Sequence, residues 1–179
     1  MTGDDERMMT VDENIPSTAG QGAPSGAAPE PTRISQVIAF HLGEQRYALP
    51  IERVQEIQQL VAFSEMPASD DSVVGMINLR GRVIPALDLR LLVGLDVIEY
   101  GLKTPMIICR VEDTAVALLV DEVEDVLTLS EDRVSAPPKM HQLASRMLGV
   151  GHIGTELVFV LDVDRLIDPA KLPGIGGDE

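Results

Sequence analysis

Val73-Val74-Gly75-Met76-Ile77-Asn78-Leu79-Arg80-Gly81-Arg82-Val83-Ile84-Pro85-Ala86-Leu87-Asp88-Leu89-Arg90-Leu91-Leu92 is the stretch on which the fold turns. Two apolar runs of strand length flank Arg80-Gly81-Arg82, and Gly81 supplies the positive φ that a tight reversal needs, so the pattern predicts a β-hairpin. Asp88 stands where a helix N-cap belongs, ahead of Leu89, Leu91 and Leu92, with Gly94 as the stop. Hairpin, cap and helical turn read as one unit. Pro85 lacks an amide donor, which predicts an edge strand or a bulge there.

The unit occurs twice. A shift of 74 residues carries Val74, Gly75, Leu79, Val83, Ile84, Leu87, Asp88 and Leu92 onto Leu148, Gly149, Ile153, Leu157, Val158, Leu161, Asp162 and Leu166. A shift of 69 carries Ile38, Phe40, Leu42, Tyr47, Leu49, Val54 and Ile57 onto Ile107, Cys109, Val111, Val116, Leu118, Val123 and Val126. Each half therefore reads strand, polar turn, strand, strand, connector, hairpin, short helix. Two copies with this much strand predict an all-β fold, a duplicated pair of small β-barrels with short helices.

The remaining punctuation follows the same plan. Residues 34–42 and 45–50 form a hairpin turning at Gly43-Glu44, then Ile51 to Val54 makes one helical turn. Val54-Gln55-Glu56-Ile57 is a strand with Val54 and Glu56 on one face. Residues 60–68 are a connector that is apolar at Leu60, Val61, Phe63 and Met66; it either covers a barrel end or presents a partner surface. In the second half, residues 105–111 and 114–120 turn at Glu112-Asp113, and residues 139–147 predict a short helix with Leu143 and Met147 inward. Residues 1–33 are rich in Gly, Pro, Ser and acids and predict a disordered arm; residues 171–179 predict a flexible tail.

Composition removes several function classes. Among 179 residues, 14 Lys and Arg face 29 Asp and Glu, a formal charge of -15 that repels phosphate backbones and anionic membranes and suits basic partner surfaces. The single cysteine, Cys109, sits in an apolar strand and reads as a small buried hydrophobe in a reducing compartment. No apolar run has the length of a membrane span. The expectation is a soluble cytoplasmic protein without direct membrane insertion or nucleic-acid binding.

Catalytic constellations are not found in the sequence. His41, His141 and His152 have no metal-ligand spacing, and neither a phosphate-binding Gly-rich loop nor a nucleophile elbow is present. The acidic run from Asp121 to Val126 has two readings, a cation site or a solvated face anchored by Val123 and Val126; alternation of faces and the lack of a central Gly favour the second. More informative are the differences between the copies: Asn78 corresponds to His152, Arg80 to Gly154 and Arg82 to Glu156. Arg80 at the turn is either solvated or paired with Glu56 on the neighbouring strand.

Val54-Gln55-Glu56-Ile57, Gly75-Met76-Ile77-Asn78-Leu79-Arg80-Gly81, Asp88-Leu89-Arg90 and Val120-Asp121-Glu122-Val123 together resemble the CheW family of chemotaxis adaptor proteins. The resemblance spans roughly residues 34–168. It implies a CheW-like domain over residues 34–170, built as two five-stranded SH3/OB-like barrels around a shared core. One lobe would be near 34–100 and the other near 101–168, with room for strand exchange between them. It further implies a non-catalytic adaptor, without cofactor or metal, that joins the cytoplasmic tips of methyl-accepting chemoreceptors to the regulatory domain of a CheA-type histidine kinase in membrane-associated arrays. The alternative is an adaptor of another chemosensory pathway, controlling surface motility or gene expression. By position, Val54, Glu56, Ile57, Gly75, Asn78 and Arg80 would face the receptor. Leu60, Val61 and Met66 are the exposed apolar candidates for the kinase contact, and Gly81 and Asp88 are structural.

Overall fold

The computed structural model describes residues 36–65 and 70–173. The expected arm of residues 1–33, Met66, and residues 174–179 of the expected tail lie outside them. In chain order the elements are β1 (Gln36–Leu42), β2 (Gln45–Pro50), β3 (Val54–Gln59), β4 (Phe63–Ser64), β5 (Val73–Leu79), β6 (Arg82–Asp88) and the single-turn helix α1 (Leu89–Leu92). The second half supplies β7 (Pro105–Val111), β8 (Thr114–Leu119), β9 (Glu122–Thr128), β10 (Val134–Ser135), β11 (Met147–Ile153), β12 (Glu156–Leu161) and α2 (Val163–Leu166).

Among the described residues these strands form two six-stranded sheets, ordered β3-β7-β8-β6-β5-β4 and β10-β11-β12-β2-β1-β9. Each has five strands of six or seven residues, with a two-residue strand (β4 or β10) at one edge that is too short to register as a periodic pattern. Strands are exchanged: the β5–β6 hairpin joins β7 and β8 from the second half, and the β11–β12 hairpin joins β1 and β2 from the first. The joints are parallel in both sheets and in equivalent register, Ala86 opposite Ala117 and Val160 opposite Ala48.

Burial on two faces explains why β1, β2, β7 and β8 read as nearly unbroken apolar runs. Ile107, Cys109, Val116 and Leu118 face a central core shared with Phe40, Leu42, Tyr47 and Leu49. The alternating residues Met106, Ile108, Ala117 and Leu119 line a second core beneath their own sheet. Val37, Ala48, Val158 and Val160 line the third. Cys109 is fully buried, and burial pushes its thiol up to about 12, so it acts as packing.

The turns and caps carry the duplication down to single dihedrals. Gly43 (φ 60°) and Glu112 (φ 51°) occupy equivalent turn positions. In the β5–β6 turn both Arg80 (φ 53°) and Gly81 (φ 84°) are left-handed, the signature of a type I′ hairpin, whereas only Gly154 (φ 61°) is so in the β11–β12 turn. Asp88 Oδ1 accepts from the amides of Arg90 (2.8 Å) and Leu91 (3.4 Å), and the Tyr100 hydroxyl donates to Oδ2. Burial raises the Asp88 carboxyl above its usual range, against the lowering effect of those amides. Asp162 caps α2 with one bond, from the Asp164 amide at 3.1 Å.

Three expectations are corrected. Of the two readings for Pro85 the edge strand is overturned, since β6 is interior and β8 pairs only with Ala86–Asp88, just past the missing donor; the bulge reading keeps support from the register shift between Val73 and Gly75 beside it. Residues 139–147 form turns and a short 3-10 segment, Ala144–Arg146, rather than a helix, although Leu143 and Met147 are buried as expected. Val126 does not anchor the acidic run, because a bulge between β9 and β1 leaves it 49% exposed. Asp121 and Glu124 tie that run down instead, through Gly43, Arg90, Arg46 and His41.

Candidate functional site

The site is built where β3, an edge strand, meets the tip of the β5–β6 hairpin. On β3 the burial alternates, leaving Val54 and Glu56 half-buried and Gln55 and Ile57 exposed. A bulge against β7 between Val54 and Glu56 re-aims the strand, a feature repeated at Val123 on β9. At the hairpin tip the Asn78 Oδ1 accepts from the Gly81 amide at 2.9 Å, which holds the turn in its left-handed form. Held there, Arg80 reaches across to β3, its Nη2 lying 2.8 Å from Glu56 Oε2. Arg80 is 74% exposed and Glu56 only 24%, so the pair contributes little to stability and much to the shape of the surface.

Beside this bridge is a shallow cleft of about 250 Å³ lined by Gln55, Glu56, Leu79, Arg80, Arg82, Ile84 and Ala115. A larger concavity of about 660 Å³ lies between Asp70–Val73, α1, α2 and Leu172, closed on one side by Lys171 and Asp70 at 3.5 Å. Its lining mixes both charge signs without converging groups. The smaller cleft is the better candidate, since the residues that diverged between the copies gather there.

The structure thus brings Glu56 and Arg80 together, with Asn78 as the support of the turn. Ile57 is 41% exposed on the outer face of β3. Gly75 is buried within β5 opposite Ala86 and offers backbone rather than surface. Of the kinase candidates, Val61 is exposed, but Leu60 is not: it is buried with Ile77, Ile84 and Met106, and its amide donates to Thr104 O at 2.7 Å. Within the connector Leu60 turns inward to plug the barrel while its neighbour Val61 stays exposed. The cleft residues Gln55, Arg82 and Ala115 were not singled out as site residues, although the repeat already set Arg82 against Glu156.

On the other barrel the equivalent ground holds an ionic cluster. Glu124 accepts from Arg46 Nε at 3.1 and 2.9 Å and from His41, and Arg46 Nη1 reaches Glu156 at 2.9 Å. The Arg46 hydrogen bonds hold the Glu124 carboxyl below the usual carboxylate range, with His41 adding to the effect and burial opposing it; the same contact raises Arg46. Among the described residues no group of three or more His, Cys, Asp or Glu is arranged to hold a metal ion, and no helix is long and apolar enough to cross a membrane.

Comparison with known proteins agrees with this architecture. The chemotaxis protein CheW of Klebsiella aerogenes is 28% identical over 139 residues, covering 76% of this chain and 84% of its own. That of Thermotoga maritima is 29% identical over 133 residues, covering 74% and 87%. The crystal structure of the scaffolding protein TtCheW from Thermoanaerobacter tengcongensis superposes with a TM-score of 0.71 at 24% identity, over 78% of this chain and 99% of that one, a likeness of fold. The family model of the CheW-like domain matches residues 36–171, which takes in both exchanged barrels, the Glu56–Arg80 bridge and both capped helices: the chain belongs to the CheW-like family of chemotaxis adaptors.

Proposed function

We propose that the protein couples the cytoplasmic tips of transmembrane chemoreceptors to the regulatory domain of a CheA-type histidine kinase, as a non-catalytic cytoplasmic adaptor recruited to receptor arrays. The observation that carries this reading is the ion pair from Arg80 to Glu56, which joins the hairpin tip to the edge strand at the mouth of an open cleft. On this reading the receptor packs on Val54, Glu56, Ile57, Asn78 and Arg80, with Gly75 shaping the strand beneath. The kinase docks on the connector that bears Val61 and Met66.

Exposed apolar side chains support a role in assembly. Ile57 and Val83 are 41% and 48% exposed on one barrel, and their repeat equivalents Val126 and Leu157 are 49% and 45% exposed on the other. Two faces of one kind let weak contacts add through effective concentration, and receptor occupancy can then bias kinase activity by geometry alone. Calorimetric titration of the protein with a receptor-tip fragment and, separately, with the kinase regulatory domain tests this. Saturable binding to both is expected, with Arg80→Ala weakening the receptor arm; absence of binding to both sinks the reading.

A further inference from the structure

The repeat places the open cleft and the ionic cluster at equivalent points of the two barrels. The shift of 69 sets Ala115 against Arg46 and Gln55 against Glu124, and the shift of 74 sets Arg82 against Glu156. On the second barrel a cleft of about 310 Å³ is lined by Arg46 and Glu156, but there the Arg46 guanidinium is bonded on both sides, to Glu124 and to Glu156. On the first, a methyl group stands where the guanidinium would be, an amide replaces one acid, and a guanidinium replaces the other. The internal counter-ion has been removed, and one flanking charge has been reversed. Arg82 is exposed and has no ion-pair partner among the described residues, and the neighbouring Arg80 engages only Glu56 among them.

We infer that this cleft takes a carboxylate side chain from the receptor tip, and that Arg82 is the residue that reads it. The inference rests on the proposed receptor surface, with which the cleft is continuous through Glu56 and Arg80. A space of about 250 Å³ admits one acidic side chain and is small for a cofactor. The planar fork of Arg82 suits a carboxylate, and Leu79, Ile84 and Ala115 supply an apolar floor that strengthens the contact by excluding water. In a chain of net charge -15, an arginine in a concave site with no ion-pair partner among the described residues selects for the opposite sign.

The test is titration of a soluble receptor-tip fragment into the parent, Arg82→Glu, Arg82→Lys, Ala115→Arg and Arg80→Ala, with the kinase regulatory domain as a parallel ligand and melting curves for each variant. Arg82→Glu is expected to weaken tip binding about tenfold or more, with Arg82→Lys intermediate and kinase binding unchanged. A Lys introduced at one Asp or Glu of the tip is expected to restore the Arg82→Glu variant. Ala115→Arg, which crowds the apolar floor of the cleft with a long side chain, is expected to act in the same direction; the exposed Arg82 series decides alone if that variant does not fold. Parental tip binding by Arg82→Glu, with Arg80→Ala impaired, overturns the inference and leaves the receptor reading intact. A loss confined to the kinase arm overturns the choice of partner. A parent that does not bind the tip overturns both.

Discussion

The β3 barrel and the β9 barrel share strand order, bulges and turn positions, and each has a cleft near its hairpin tip, yet in one the lining arginine Arg46 is paired from within and in the other Arg82 has no ion-pair partner among the described residues. The backbone plan is common to both copies, and a few side chains set their surfaces apart. The β9 barrel ties its edge strand to β1, β2 and β12 with internal charges. The β3 barrel has exposed bridges at Arg80–Glu56 and Arg110–Asp113, and its Arg82 has no ion-pair partner among the described residues. The same frame carries two clefts that differ in which charges are satisfied inside.

Substitutions can break that comparison at four levels. The two caps should differ most: Asp88→Ala removes a fully buried acceptor of three donors and is expected to cost about 3 kcal/mol, against about 1 kcal/mol for Asp162→Ala, measured by denaturant unfolding. Equal losses would show that burial of the first cap adds nothing. Next, Gly149→Ala places a Cβ 2.9 Å from the Ser135 carbonyl oxygen and 2.7 Å from Val134 Cγ1, and should cost about 2 kcal/mol as β10 is pushed off β11.

The ionic cluster comes third. Arg46→Ala is expected to cost about 1.5 kcal/mol, and the effect should depend on pH with a definite sign. Glu124 has its folded pKa depressed, so its contribution is complete above the unfolded carboxylate value and is lost as pH falls through the lowered folded value. Glu124→Gln should therefore lower the melting temperature at neutral pH, and the gap from the parent should close below about pH 4. A gap that persists in acid would mean that shape, not charge, was lost. Smallest is the Glu56–Arg80 bridge, whose double-mutant coupling in stability should not exceed about 0.5 kcal/mol, while receptor binding responds to either change.

Much of this was readable in the chain because it is local. The Arg80-Gly81 turn, the Asp88 and Asp162 caps and the paired repeats each need only a few neighbouring residues, and placing a turn beside a strand made Glu56 one of two readings for Arg80, the other being solvent. Strand exchange is different in kind. A buried run such as Ile107-Ile108-Cys109 has the same apolar pattern whichever hairpin it joins, so periodicity is silent on partners. Leu60 could not be told from Val61 for a similar reason, since in a connector no alternation says which side chain turns inward. The cleft has no sequence signal of its own because its defining residue is Ala115, a methyl group whose meaning appears only beside Arg46 at the equivalent position.

Exchange of strands also sets an order of assembly. All strands of the β3 sheet lie between Val54 and Leu119, whereas the β9 sheet runs from Gln36 to Leu161. A chain leaving the ribosome can therefore complete the β3 barrel first. Meanwhile the β1–β2 hairpin, the earliest strands made, waits with both edges unpaired until β9 and β12 emerge. At usual elongation rates the roughly 40 residues between the two completions take about 2–8 s. The half of the molecule that is most firmly clasped when finished is the half whose edges stay open longest while it is being made.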